Sequence, residues 1–202
     1  MKIIIEPVTN NSDEAAILRI RRQVFEREMG IALDYLNGCD QASALHLLAR
    51  AEPNGDPVAA LSVVETSSNQ ELHQGYGLKF RAGASVARYT QLAVLKPYRG
   101  LNIPLRLMLA AHRRFVVPNQ FDYTWLLFDA ERVASSSMHR WLAFIPSENV
   151  FMSEYGRSRT LVRDERAPQS EQAVWRAEQY VEQTLKAFSP ANQRLAHLAS
   201  SI

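Results

Sequence analysis

The stretch from Gln91 to Pro104 holds residue types that could bind a phosphate group. It reads QLAVLKPYRGLNIP, in which an apolar strand passes through a short turn into a helix with Pro104 in its first turn. The amino end of a helix leaves backbone N–H groups free and carries a partial positive charge, and Arg99 adds a full charge beside it. The pattern therefore favours a phosphate or pyrophosphate site. The alternative is an ordinary joint between strand and helix with a solvated arginine.

Arg88 and Thr90 lie two residues apart in the strand that leads into this turn. Side chains alternate between the two faces of a strand, so Arg88 and Thr90 share one face, whereas Tyr89 and Gln91 share the other and pack. An arginine cannot act as a general base at ordinary pH, but it can hold a carboxylate. Arg88, with Thr90 beside it, is therefore a candidate for binding a carboxylate, unless Arg88 pairs with a neighbouring acid.

The elements that position these residues follow from apolar periodicity. Apolar residues at helical spacing from Ile17 to Phe25, followed by Gly30, indicate a helix near the amino terminus. The predicted strands cover residues 3–8, 45–51, 58–65, 85–95 and 121–128, with one or two more within 143–164. The further predicted helices cover residues 103–115, 131–141 and 169–188. This order predicts an α+β (mixed α/β) fold around one central sheet.

The composition is that of an ordinary globular protein. The 202 residues are 47% hydrophobic and 22% charged with a formal net charge of +2, so bulk charge does not indicate a polyanionic partner. Cys39 is the one cysteine, which excludes an internal disulfide and a site built on several thiolates. The histidines show no metal-ligand spacing, and no run of about 18 apolar residues is present. We therefore expect no metal, no membrane span and a cytoplasmic location.

Two motifs together resemble the GCN5-related N-acetyltransferase (GNAT) superfamily. Leu92-Ala93-Val94, followed by Pro97-Tyr98-Arg99-Gly100, resembles the family signature in which a strand pairs with the pantetheine arm of coenzyme A and the next loop wraps the pyrophosphate. Asn102 and Pro104 stand where glycines are usual; asparagine tolerates a left-handed backbone, whereas Pro104 removes a backbone donor. The resemblance assigns contacts with the co-substrate to Leu92, Ala93, Val94, Arg99, Gly100, Leu101, Asn102 and Ile103.

The second motif is Met138-His139-Arg140-Trp141-Leu142-Ala143-Phe144, which resembles the element after the family's fifth strand. His139 falls where the family often has a tyrosine that protonates the leaving thiolate, so the resemblance makes His139 the candidate general acid. Histidine titrates near neutral pH, which suits proton transfer. Ala143 replaces the common glycine. The alternative is that His139 is a surface or packing residue in a short helix.

The resemblance also places Arg88 where relatives often have a glutamate or histidine base that faces the amine. Since arginine cannot serve as that base, the resemblance implies that Arg88 and Thr90 bind an amino-acid acceptor through its carboxylate. Glu65 at the end of the preceding strand is an alternative base that would act through a water.

The resemblance covers residues 1–165, the expected acyltransferase domain, and leaves residues 166–202 as a C-terminal helical extension. It implies a mostly antiparallel sheet flanked by helices and acetyl-CoA or a longer acyl-CoA as co-substrate. Arg19 to Gly30, with Asp34 and Asp40, is similar to acyl-homoserine-lactone and N-acyl amino acid synthases, which often use acyl carrier protein. On the helix after the turn, a basic face could then meet an acidic carrier, or it could be merely solvated. It carries Arg106, Arg113 and Arg114.

The predicted reaction transfers an acyl group from a CoA or acyl carrier protein thioester to the amine of a small molecule. The main alternative is a non-catalytic acyl-CoA or acyl-carrier binding module on the same fold, which the replaced glycines and the lack of an acid on the strand favour. Nucleic-acid binding through the three arginines lacks interleaved aromatic residues and is not expected. An oligomer is compatible with the sequence, since the helix at 169–188 could pack on the core or on a partner subunit.

Overall fold

The computed structural model describes residues 1–32, 44–66, 75–131, 133, 141–153 and 155–187. These residues form a seven-stranded sheet with helices packed on both faces. The strands are β1 (Ile3–Pro7), β2 (Ala44–Ala51), β3 (Asp56–Thr66), β4 (Val86–Val94), β5 (Tyr123–Asp129), β6 (Ile145–Ser153) and β7 (Gly156–Asp164). The helices are α1 (Asn11–Arg21), which continues as a π-helical stretch (Arg22–Glu28), α2 (Ile103–Ala111), which continues likewise (His112–Val116), and α3 (Pro168–Ala187).

The strand order across the sheet is β1-β2-β3-β4-β5-β7-β6. Neighbouring strands run antiparallel except β4 and β5, which run parallel. Parallel neighbours require a crossover connection, and the segment that contains α2 provides it. The mostly antiparallel α+β fold is therefore confirmed.

The predicted positions of the elements are close to the observed ones. The five strands predicted singly have ends within two residues of β1 to β5, and the region 143–164 contains both β6 and β7. The helix predicted at 169–188 is α3. Most of the helix predicted at 131–141 lies outside the described residues.

Helix α1 covers one face of the sheet. Asn10 caps it by accepting a hydrogen bond from the backbone N–H of Asp13 at 3.0 Å, as expected for an asparagine at this position. Apolar residues at helical spacing then face the sheet, and alternate residues of β2, β3 and β4 meet them. The buried members of this cluster are Ala16, Ile17, Ile20, Val24, Phe25, Leu48, Ala60 and Ala93.

Helices α2 and α3 cover the opposite face. Leu107 of α2 is fully buried, and Val174 and Ala177 of α3 belong to the same apolar cluster. On the adjoining part of α3, the Tyr180 ring stacks on Trp141 with 4.4 Å between centroids. The C-terminal helix is therefore packed onto the core of this chain.

A buried polar network lies under the same face. Arg163 is 1% exposed, and its Nε donates to Glu165 Oε1 at 2.8 Å. Glu165 also lies 3.2 Å from His112 Nε2 and accepts a hydrogen bond from the Thr124 hydroxyl. Burial alone would raise the pKa of Glu165, but the hydrogen bond from His112, the charge of Arg163 and the Thr124 hydroxyl together hold it below its ordinary value. The network ties β5, β7 and the end of the α2 segment together.

Candidate active site

A cleft opens where β4 and β5 part. Their parallel pairing covers Val86–Tyr89 and Tyr123–Leu126. Beyond it, β4 continues against β3 up to Val94, and β5 continues against β7 up to Asp129. Residues past the last shared pair on both strands line one cavity of about 540 Å³, a size typical of ligand sites.

The walls of this cavity come from the π-helical extension of α1, from β3, β4, β5 and β7, from α2 and from the turn after β4. Four of the predicted site residues line it, namely Arg88, Thr90, Leu92 and Arg99. The other lining residues are Val24, Phe25, Glu28, Met29, Leu61, Tyr89, Gln91, Met108, Leu126, Leu127, Phe128, Asp129, Tyr155 and Ser158.

A β-bulge interrupts β4 at Gln91. Ser62 pairs with Thr90 and Ala60 pairs with Ala93, so two residues of β4 face the single Leu61 of β3. Gln91 has φ of +53°, a left-handed conformation typical of such bulges. The bulge therefore shifts the side-chain pattern of β4 by one residue beyond Thr90.

The shift decides which main-chain groups face the cleft. Ala93 packs against α1, and Leu92 packs on the face of α2 and α3. Leu95 N donates to Val58 O at 3.0 Å, so the neighbouring pair Ala59–Val94 is a non-hydrogen-bonded pair of the antiparallel ladder. The Val94 carbonyl therefore points away from β3, and it accepts a hydrogen bond from Arg99 Nε at 3.0 Å.

Arg88 lies in an aromatic environment at one end of the cavity. The centre of its guanidinium is 4.8 Å from the centroid of the Trp125 ring and 5.7 Å from that of Tyr76. Such contacts fix the orientation of a guanidinium group. Thr90 is 7% exposed and lies on the same strand face two residues further.

Tyr89 lines the cavity from the opposite face of β4. Its ring meets Phe144 edge-on with 6.0 Å between centroids. Burial raises the pKa of the Tyr89 phenol far above its ordinary value, although the nearby Arg163 charge partly opposes this. The phenol therefore stays protonated and can act as a hydrogen-bond donor, but not as a base at neutral pH.

Arg99 lies at the other end of the cavity. Its Nη2 is 2.5 Å from Glu28 Oε2, and its Nε donates to the Val94 carbonyl. Arg99, which the sequence predicts to bind pyrophosphate, is thus paired with an acid from the extension of α1. Glu28 was not identified as a site residue from the sequence, because the two partners are 71 positions apart.

The turn after β4 leads directly into α2. Gly100 has φ of +90° and Asn102 has φ of +55°, so the asparagine occupies the left-handed conformation that its side chain tolerates. Arg106 N donates to Asn102 O, which leaves the N–H groups of Ile103 and Leu105 in the first turn without a partner inside the helix. Leu101 is 39% exposed, whereas the Ile103 side chain is fully buried. Only main-chain groups of Ile103 are therefore available to a ligand.

His139, the predicted general acid, lies outside the described residues. The chain immediately after that segment is held by Arg163, whose Nη1 donates to the Leu142 carbonyl at 3.3 Å. The Phe144 ring lies 5.1 Å from the same guanidinium. Ala143 between them has φ of +56°, the conformation for which glycine is preferred.

Some predicted features lie away from the cavity. Glu65 is exposed and is not part of the lining. On the proposed basic face, Arg106 donates to the Ile3 carbonyl at 2.6 Å, and Arg113 pairs with Glu178. Two of the three arginines are thus engaged within the chain.

The described part of the chain contains no helix that is both long enough and apolar enough to cross a membrane. It also contains no cluster of three or more histidine, cysteine, aspartate or glutamate side chains suited to holding a metal ion.

Sequence reasoning missed several residues of the cavity. Glu28 and Asp129 supply its acidic groups, and Phe25, Met29 and Tyr155 supply apolar and aromatic surface. Phe25, Glu28 and Met29 fall within the stretch from Arg19 to Gly30 that resembles the synthases, which is the one signal that could have pointed to them. Asp129 and Tyr155 gave no such signal.

Comparisons with known proteins support the fold. No family model and no curated protein matches the sequence. Among solved structures, FeeM, an N-acyl amino acid synthase from uncultured soil microbes, superimposes with a TM-score of 0.65 at 13% identity, covering 81% of this chain and 91% of that one. BjaI, a CoA-dependent acyl-homoserine lactone synthase, gives a TM-score of 0.61 at 14% identity, with 88% and 90% covered.

A GNAT-family acetyltransferase from Staphylococcus aureus Mu50 gives a TM-score of 0.58 at 14% identity, covering 81% of this chain and 99% of that one. At these identities the likeness concerns the fold. In this chain, β4 and β5 diverge and α2 starts beside them, all within the same fold. The chain therefore has the fold of the GCN5-related N-acetyltransferases.

Proposed function

We propose that this protein is an N-acyltransferase that moves an acyl group from a CoA or acyl carrier protein thioester to the amine of a small molecule. The observation that supports this best is the cavity between the parted strands, which runs from Arg88 to Arg99 beside the bulge in β4. The solved structures with the same fold include a CoA-dependent acyl-homoserine lactone synthase and an N-acyl amino acid synthase, and both of these activities belong to this reaction class.

The donor would lie along the free edge of β4. Main-chain groups from Leu92 to Val94 would bind the pantetheine arm. The Ala93 side chain packs against α1 on one face of the sheet. The N–H groups of Ile103 and Leu105, the turn of Gly100 to Asn102 and the charge of Arg99 would meet the phosphates. Pro104 contributes no donor to this turn, so the phosphate site has one N–H fewer than a helix without proline.

The reaction needs no covalent enzyme intermediate. The neutral amine attacks the thioester carbonyl, the C–N bond forms, and the C–S bond breaks to give an amide and a thiol. A backbone N–H of the bulged strand would stabilise the oxyanion, and His139 would give a proton to the leaving thiolate. The amine loses one proton to water, and this replaces the proton that His139 gives to the thiolate, so the protons balance.

The acceptor is proposed to carry a carboxylate. Arg88 lines the cavity with its guanidinium oriented by Trp125 and Tyr76, and Thr90 adds a hydroxyl on the same strand face. A planar guanidinium suits a carboxylate through paired hydrogen bonds. Amino acids would then be better acceptors than the amines obtained by removing their carboxyl group.

The first test is calorimetry of the wild-type protein with acetyl-CoA, longer acyl-CoAs and acylated carrier protein. Binding of at least one thioester is expected, and binding of none would refute the proposal. Release of thiol with a panel of amines then separates an enzyme from a binding module on the same fold. His139→Ala should bind donor normally but release thiol at least tenfold more slowly, as for loss of a general acid. A variant as fast as the wild type would remove His139 from the mechanism.

A further inference from the structure

We propose that Glu28 holds Arg99 while the donor is absent and is exchanged for a phosphate of the donor when it binds. Glu28 thereby lowers the affinity for phosphate-bearing donors and positions the arginine that receives them. This inference rests on the proposed function, since it concerns the same site.

The contact is between two separate parts of the fold. Glu28 ends the π-helical extension of α1, and Arg99 lies in the turn between β4 and α2. Their charged atoms are 2.5 Å apart, with 23% of the Glu28 side chain and 46% of the Arg99 side chain exposed. Because solvent reaches both side chains, another anion can replace the carboxylate without unfolding the chain.

The ion pair borders two hollows. Both residues line the main cavity, and both also line a neighbouring depression of about 540 Å³. The remaining lining of this depression is Gln23, Leu95, Lys96 and Pro97. Lys96 and Arg99 are its cations and Glu28 is its acid, so displacing the Glu28 carboxylate leaves a site with net positive charge.

Arg99 is prepared for this exchange by its second contact. Nε is bound to the Val94 carbonyl, whereas the Glu28 contact uses the terminal Nη2. The guanidinium can therefore keep its orientation through Nε while Nη2 changes partner. The two linked phosphates of CoA together carry two negative charges and offer more acceptor oxygens than one carboxylate, so they compete well for the same nitrogen.

Competition for Arg99 predicts that removing Glu28 changes donor affinity in the opposite direction from a purely structural role. Removing an acid that only stabilises the fold would leave donor affinity unchanged or weaker. Removing an acid that competes for Arg99 strengthens donor binding, because the donor no longer breaks an ion pair. Exposed ion pairs contribute modestly, so the expected gain is about twofold to fivefold in Kd.

The experiment is calorimetry of the full chain with CoA and, separately, with pantetheine, which lacks the phosphates. The variants are Glu28→Gln, Arg99→Ala and the double variant. Glu178→Gln is the matched control, because Glu178 pairs with Arg113 at 2.6 Å with a similar exposure of 24%. Melting curves of each variant verify that the fold is retained.

Glu28→Gln should bind CoA about twofold to fivefold more tightly than the wild type, bind pantetheine equally and show a smaller gain at high salt. Arg99→Ala should bind CoA more weakly, and adding Glu28→Gln to it should change nothing further. Equal or weaker CoA binding by Glu28→Gln, or an equal gain with pantetheine, would overturn the exchange while leaving the acyltransferase proposal intact. A wild type that binds no CoA and no acyl carrier protein would overturn both.

Discussion

Replacing Glu165 by glutamine tests how much the buried polar network stabilises the fold. The Glu165 side chain is 8% exposed and receives contacts from Arg163, His112 and Thr124. Glutamine keeps the shape and one acceptor oxygen but turns an amide donor toward groups that are themselves donors. It also leaves Arg163, which is 1% exposed, without its counter-charge.

The expected loss is about 3 kcal/mol of unfolding free energy at neutral pH. Breaking a buried pair from one side costs about 3–5 kcal/mol, and the remaining amide oxygen places this change at the lower end. For a chain of 202 residues this corresponds to a decrease in Tm of roughly 6–12 °C. Urea unfolding followed by circular dichroism measures the free energy, and a thermal melt measures Tm.

The effect has a defined pH dependence. The folded structure holds the pKa of Glu165 below its ordinary value of 4.5, so the unfolded chain binds the proton more readily. The carboxylate's contribution to stability is therefore fully present above about pH 4.5 and is lost as the pH falls through the lower folded value. The difference in unfolding free energy between the wild type and Glu165→Gln should therefore become smaller as the pH falls through that acidic range.

Glu131→Gln is the control, because Glu131 pairs with Arg157 at 2.6 Å while both side chains are about two-thirds exposed, at 67% and 64%. It should cost less than about 1 kcal/mol. A loss of unfolding free energy in Glu165→Gln no larger than in Glu131→Gln would refute the stabilising role of the buried network. A difference in unfolding free energy between Glu165→Gln and the wild type that stays constant down to pH 3 would refute the role of the carboxylate charge.

Two further variants probe the joint that carries the cleft. Asp122 accepts a hydrogen bond from the backbone N–H of Ser85 at 2.9 Å and pairs with Arg81 and Arg166, which joins the starts of β4 and β5. The Ser85 backbone hydrogen bond first, and then the two arginines, hold the pKa of Asp122 below its ordinary value. Asp122→Asn should therefore lower stability by about 1–2 kcal/mol at pH 7, with a deficit that disappears as the pH falls through the lowered pKa. A deficit independent of pH in urea titrations would contradict this. Gly100→Ala should cost about 1–2 kcal/mol in the same titrations, because φ of +90° strains any residue with a Cβ even though no atom lies within 4 Å of the added carbon. Gly75→Ala, at a glycine that also has open space but no positive φ, should be close to neutral, and equal losses in the two would refute the backbone explanation.

Local pattern was enough to predict much of the fold. Alternating and helical apolar spacing reflects burial on one face, and it located β1 to β5 and α3 within two residues. The strand, the turn with Arg99 and the start of α2 were predicted for the same reason, because each depends on residues close together in the chain.

The features of the site that depend on distant partners were not predictable. The bulge at Gln91 arises from pairing with β3, and the ion pair of Arg99 with Glu28 joins residues 71 positions apart. Likewise, Arg163 reaches Leu142 across 21 positions, although nothing near either residue in the sequence signals it. Periodicity indicates which face a residue occupies, but it does not indicate which side chain it will meet there.

The parallel pairing of β4 and β5 has a mechanical consequence. It consists of four residue pairs, Val86–Tyr89 with Tyr123–Leu126, and it joins an antiparallel half made of β1 to β4 to another made of β5 to β7. This seam is shorter than either half's internal ladders, and parallel pairing is slightly the weaker kind. Fewer main-chain pairs therefore join the two halves than join the strands within either half, and the apolar core that they share supplies most of the remaining connection. A molecule bound in the open end would touch both halves at once, because residues of β4 and of β5 line the cavity.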